Sequence, residues 1–243
     1  LPASAGGILS TKFRSMDVPF EIEIALEEAA HAKGLEGFGV HRIELCANLA
    51  EGGLTPTRGQ AKAVVRETSL PIYAMLRPRA GDFCYTSSEQ QQMLDDLEHL
   101  ATSGIQGIVF GALKKDGSLD VVFTTKLVER AQRFGLGVTF HRAIDAATSP
   151  LFVLEQLQAL GVERILTSGG APKALQGQEL IAELCEEATL SIQAGSGVSA
   201  EVVSPLWKVG VRAFHMTARE WVSPVDDPLG FKGHWRRNDQ KIQ

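Results

Sequence analysis

The sequence predicts an α/β fold of the (β/α)8 TIM-barrel type, and three observations point there. From Phe20 onward, eight short β-branched or apolar runs alternate with longer amphipathic stretches. Successive runs start about 20–36 residues apart, the length that a helical crossover between parallel strands requires. The chain has 243 residues and no linker that would mark a second domain, and about 225 residues suit one barrel. The rival is an open doubly wound sheet. It would place a glycine-rich fingerprint after its first strand, and Glu21 to Glu28 contains no glycine.

In order, the strands are predicted at Phe20–Ala25, Arg42–Cys46, Pro71–Arg77, Gly107–Gly111, Leu136–His141, Arg164–Ser168, Leu190–Ala194 and Val211–His215. The helices fall at Leu26–Lys33, Arg58–Glu67, Ser88–Ala101, Val121–Arg133, Pro150–Leu160, Glu179–Glu187 and Ala200–Val209. In Ser88–Ala101, residues Met93, Leu94, Leu97, Leu100 and Ala101 recur at helical spacing, with Ser87 or Ser88 and Glu89 as the N-terminal cap. Ala218–Gln243 is polar and turn-rich, so the eighth helix is expected to be missing or replaced by a tail, one available to pack on a neighbouring subunit. Residues 1–15 show no periodicity and no secretory pattern, and Met16 reads as the natural start. The expected organisation is an added or disordered stretch 1–15 and a single barrel domain 16–243 ending in a polar tail.

Charge and composition bound the function. With 24 basic and 29 acidic residues the formal net charge is −5, which removes the general attraction that nucleic-acid binding depends on. No apolar run approaches the roughly 20 residues of a membrane span. Cys46, Cys84 and Cys185 are too few for a secreted disulfide scaffold. The expectation is a cytoplasmic protein with neither nucleic acid nor membrane as partner.

Strand alternation then sorts side chains by face. Ile22 and Ile24, Ile43 and Leu45, Ile72, Ala74 and Leu76, and Val138 and Phe140 make an apolar set that suits the helix layer. The opposite set contains Glu21, Glu23, Arg42, Glu44, Cys46, Tyr73, Met75, Arg77, Thr139, His141 and His215. Unpaired charges in a low-dielectric interior cost several kcal/mol each. Either a buried salt-bridge network or a functional site accounts for them, and their position toward the C-terminal strand ends favours a site.

Candidate site residues follow from the strand ends. Glu44 and Cys46 lead into a loop with Glu51, Gly52 and Gly53. Glu44 could also be an ion-pair partner of Arg77 or Arg42, and Cys46 a small buried hydrophobe. Arg77 and Arg79 flank Pro78, and guanidinium forks suit carboxylate or phosphate. His141 is a candidate general acid or base, to be oriented by Asp145 or Glu44, and His215 is a second candidate. Ser168, Gly169 and Gly170 after the sixth strand, and Gly195, Ser196 and Gly197 after the seventh, are a candidate anion cradle. None of the eight predicted strands contains lysine, which counts against Schiff-base chemistry, and no Cys-x-x-Cys or His-x-x-x-His supplies a zinc or copper clip.

At these residues the chain resembles the CutC family, named for copper homeostasis. The resemblance runs from about Glu21 to Arg219 through RIELCANLAEGGLTP, LRPRAGDFCY, VFGAL, VTFHRAID, RILTSGG, AGSGV and the strand ending in His215. It implies a (β/α)8 barrel, a cytosolic homodimer or higher homo-oligomer, and a role in copper tolerance or trafficking with cysteine as a Cu(I) ligand. Cys46 matches the cysteine of the family's IELC motif. A second cysteine of some members falls here on Glu23, which weakens a two-thiolate site because Cu(I) prefers soft ligands; Met75 and Cys84 are substitutes.

Two functional expectations stand side by side. One is a copper homeostasis protein binding Cu(I) through Cys46 and Met75. The other is an enzyme without an organic cofactor, acting on a small anionic or phosphorylated metabolite. In that reading Glu44, Arg77, His141 and Asp145 are catalytic candidates, with Arg79, Ser168, Gly169, Gly170, Gly195 and Gly197 as anion contacts.

Overall fold

The computed structural model describes residues 20–222 and 234–242. Eight parallel strands close a ring in chain order: β1 (Glu21–Leu26), β2 (Arg42–Leu45), β3 (Ile72–Met75), β4 (Gly107–Phe110), β5 (Gly137–Phe140), β6 (Arg164–Thr167), β7 (Ser191–Ala194) and β8 (Ala213–Met216). β1 pairs with both β2 and β8, so Glu23 lies level with Arg42 on one side and His215 on the other. The helices are α1 (Ala29–Ala32), α2 (Arg58–Glu67), α3 (Ser87–Ala101), α4 (Val121–Arg133), α5 (Pro150–Ala159), α6 (Gln178–Glu187) and α7 (Ala200–Lys208).

The alternation that separates two faces in the sequence separates two layers in space. Ile24, Ile43, Leu45, Ile72, Ile108, Phe110, Val138, Phe140 and Ile165 are buried in one core with Val64, Leu97, Phe123, Leu127, Leu157, Ile181 and Leu184 of the helices. Each fully buried large aliphatic or aromatic side chain contributes about 1.5–3 kcal/mol, so this layer holds the barrel together. The ring's interior is polar instead. At its floor Tyr73 fills the space that Gly107 and Gly137 leave open; a Cβ on either would lie within 2.2–2.3 Å of the tyrosine side chain.

Local details differ from the sequence expectation at three places. The cap of α3 is Thr86, whose hydroxyl accepts from the Glu89 N–H while Glu89 accepts from the Thr86 N–H, a reciprocal box one residue earlier than Ser87. α1 keeps only four residues, because Leu26 belongs to the β1 ladder and Gly34 turns left-handed just beyond it. Where an eighth helix would stand, β9 (Arg219–Val222) and β10 (His234–Arg237) pair antiparallel. Arg237 donates to the carbonyls of His31 and Lys33, 2.8 and 2.7 Å away, so this part of the tail is seated on its own chain at α1. Residues 1–15 lie outside the described residues. No helix among the described residues is long and apolar enough to cross a membrane.

Candidate active site at the barrel mouth

Glu23 is the hub of the interior, at 1% exposure. Its carboxylate accepts from Arg42 Nε at 2.5 Å, from Gln193 Nε2 at 3.0 Å and from His215 Nδ1 at 2.7 Å. Burial opposes its charge, yet Arg42 and the His215 bond outweigh that and hold its pKa down at about 2. Because Nδ1 of His215 is engaged by Glu23, its Nε2 faces Glu44, with Nε2 and Oε2 3.8 Å apart. Glu44 is pushed up by burial and by the nearby Glu23 charge, while burial lowers His215 but Glu44 and Glu23 more than compensate. Both upward directions say one thing: this pair keeps a proton more readily than either group would in water.

Toward the opening, Glu44 also accepts a hydrogen bond from the Cys46 thiol at 3.4 Å. Its other oxygen, Oε1, is buried and has no hydrogen-bond partner among the described residues. Glu44 therefore pairs with neither arginine that the sequence offered it: Arg42 is taken by Glu23, and Arg77 is bonded to loop carbonyls. The Arg77 guanidinium donates to the carbonyls of Glu51, Gly53 and Gly81 at 2.9, 3.2 and 3.0 Å, stitching two loops together while lying 5.3 Å from the centre of the Phe83 ring.

His141 sits at the end of β5 against Phe83, ring centres 4.9 Å apart. The Ala143 N–H donates to its Nδ1 at 3.1 Å, so in the neutral ring Nε2 carries the hydrogen, and that Nε2 is buried without a partner. Burial, and then the positive charge of Arg77, depress its pKa to about 3 and keep it neutral. Gly111 makes this position possible, since a Cβ there would lie 2.4 Å from Nδ1.

Glu44, Arg77, Phe83, His141, Arg142 and His215 line one cavity of about 520 Å³ at the C-terminal mouth, together with Met75, Leu166 and the Ser196–Val198 turn. Ser196 and Gly197 both adopt left-handed backbone (φ 73° and 68°), and the N–H groups of Gly197 and Val198 meet no acceptor among the described residues. Gly195 packs against Leu166 and its N–H donates to Thr167.

Other sequence candidates are placed differently. Asp145 does not orient His141. Its carboxylate accepts from the N–H groups of Ser168 and Gly170, from the Thr167 hydroxyl and from Arg142 Nε. Those donors, read from sequence as half of an anion cradle, thus already hold an internal anion; the Gly169 N–H goes to Thr167 Oγ1. Arg79 is turned outward to Glu89 and Asp82. Cys46 is buried beside Met75 and Val109, and burial and then Glu44 push its thiol well up. Sequence reasoning missed Gln193, and it saw Glu23 as an inward charge and as the place where some members of the resembled family carry a second cysteine. Their roles depend on strands far apart in the chain, and no local pattern announces them.

The CutC family model matches residues 20–220. CutC of Vibrio vulnificus strain CMCP6 is 44% identical over 205 residues, 82% of this chain and 81% of that protein. CutC of Pasteurella multocida strain Pm70 is 40% identical over 202 residues, 82% of each. The solved structure from Streptococcus agalactiae that carries the name copper homeostasis protein CutC superposes with a TM-score of 0.73 at 29% identity, covering 81% of this chain and 97% of that one. A phosphoenolpyruvate phosphomutase from Streptomyces platensis subsp. rosaceus shares the fold alone, at 14% identity and TM-score 0.58 over 83% and 77% of the two chains. Barrel, motifs and relatives agree: the chain belongs to the CutC family.

Proposed function

We propose that this CutC-family barrel is an enzyme that binds a small anionic metabolite in its mouth and abstracts a proton next to a carbonyl group. One observation carries the reading. Three buried polar atoms that meet no partner among the described residues, Glu44 Oε1, Arg77 Nε and His141 Nε2, belong to side chains that line the same cavity. Each unsatisfied buried group costs about 1–3 kcal/mol, a cost that a bound polar molecule removes once a small side-chain rotation turns the atom to the cavity.

The roles follow from the geometry. The neutral His141 Nε2–H is a donor for a carbonyl oxygen, able to polarise it without a formal charge of its own. Glu44, backed by His215 whose ring Glu23 holds in place, receives the proton. The anionic end of the metabolite meets Arg142 and the N–H groups of Gly197 and Val198, which meet no acceptor among the described residues. A cavity of about 520 Å³ suits a molecule of metabolite size.

The test uses small keto acids, hydroxy acids and sugar phosphates incubated with the protein in D2O and read by proton NMR. At least one is expected to incorporate solvent deuterium next to its carbonyl, with Glu44→Gln abolishing the exchange. A panel with no exchange, or exchange unaffected by Glu44→Gln, overturns the assignment.

A Cu(I) role for this chain would rest on Cys46 and Met75, which converge beneath Gly53. This donor set fits Cu(I) poorly: it offers one thiol, kept protonated beside a carboxyl group, and one thioether. Cu(I) titration of the reduced protein against Cys46→Ser decides the matter. Equal affinities would leave the family's copper association without a ligand at this position.

A further inference from the structure

We infer that the Glu44–His215 pair is also a binding site for a single divalent cation of borderline hardness. Ligand atoms of Glu23, Glu44 and His215 all lie within 4.8 Å of one another. Within that group the division of labour is set by hydrogen bonds. Glu23 is committed to Arg42, Gln193 and His215 Nδ1, so it orients the imidazole from behind. This is the arrangement in which a carboxylate fixes a metal-binding histidine. His215 Nε2 and Glu44 are then the groups that face a cation.

The distances fit. Nitrogen and carboxylate oxygen bind Zn²⁺ at about 2.0–2.2 Å, and the 3.8 Å between Nε2 and Oε2 is a bite that one such ion spans. A second observation points the same way: Glu44 is 3% exposed, lines the cavity, and keeps Oε1 without any partner among the described residues. An imidazole and a carboxylate suit Zn²⁺ and similar divalent ions rather than soft Cu(I). With two protein ligands, the ion's remaining positions open to the cavity, where water or the oxygens of an anionic molecule complete the shell.

The inference uses the residues of the proposed reaction but not the reaction itself. Bound cation occupies the proton acceptor, so it is an inhibitor of the exchange described above. Zn²⁺ titrated into the full reduced chain and followed by calorimetry should bind at one equivalent. Glu23→Gln, which loosens the imidazole, should weaken binding about 10- to 100-fold; Glu44→Gln and His215→Gln should weaken it further, and Cys46→Ser should leave it unchanged. Anomalous scattering from wild-type crystals soaked in Zn²⁺ needs no variant to fold, and should place the ion between Glu44 and His215. No saturable binding, loss of binding in Cys46→Ser, or an ion located elsewhere overturns the site. Deuterium exchange measured without Zn²⁺ separates the two ideas, since it depends on the metabolite and not on the cation.

Discussion

The floor and the mouth of this barrel are both lined by charged residues, and they use them in opposite ways. At the floor, charge is matched by charge: Arg42 binds Glu23 and lies 4.1 Å from the centre of the Tyr73 ring, Tyr73 donates to Glu163, and Arg164 pairs with Glu21. At the mouth, Glu44 and His141, which line the cavity, each keep a buried polar atom unpaired among the described residues. Unpaired atoms alone do not distinguish the regions, because Arg164 also retains two. The cavity does. A polar interior becomes a candidate site where the side chains that carry its unsatisfied atoms line space that a ligand can fill.

The largest effect that would probe this contrast is acid unfolding. Glu23 is held at about 2, below its ordinary 4.5, so its stabilisation is complete above 4.5 and lost as pH falls toward 2. His141 is held at about 3, below its ordinary 6.5; the unfolded chain takes up that proton first, so stability also declines as pH falls from 6.5 toward 3. Glu44 and His215, both shifted up, contribute with the opposite sign, so the check is a difference: denaturation midpoints measured from pH 7 to 3 should decline less steeply above pH 4.5 in His141→Gln than in the wild type. Next in size, Glu23→Ala leaves Arg42 buried without its partner and should cost about 3–5 kcal/mol by urea denaturation. Gly111→Ala drives a methyl group into the His141 ring and should cost about 1–3 kcal/mol, with the His141 NMR signals displaced. Glu44→Gln should change stability by less than about 1 kcal/mol, because an amide of the same shape takes the place of a carboxyl group whose charged form burial already disfavours, while deuterium exchange disappears. Smallest of all, Arg130→Ala breaks an exposed pair with Glu98 and should cost no more than about 1 kcal/mol. A large loss from Glu44→Gln would erase the distinction between mouth and floor.

Most of the fold could be read from the chain because strand and helix periods are local signals. All eight strands and the seven helices following β1–β7 form where alternation and helical spacing put them, with α2 and α4 at the expected bounds. The β9–β10 pairing was not legible: REWV and HWRR are short and charged, without the apolar alternation that marks the barrel strands. In the site, Glu44, Arg77 and His141 were visible because strand ends of a barrel converge at its mouth. Asp145 was visible as a carboxylate near His141 in sequence, but its partners, Ser168 and Gly170, are brought to it by the next strand. Gln193 shows the same limit, since a glutamine in mid-strand gains meaning only from Glu23 and Arg42 across the ring.

The pairing of β1 with β8 sets Glu23 beside His215, and these strands are the first and last of the ring. The histidine that completes the site therefore arrives only when the final strand docks. A growing or shortened chain that stops before β8 lacks His215, Met216 and Thr217 of the cavity wall and leaves Glu44 without the imidazole that faces it. Ligand binding consequently reports on completion of the barrel, and any fragment screen or split-protein design must keep that last junction intact.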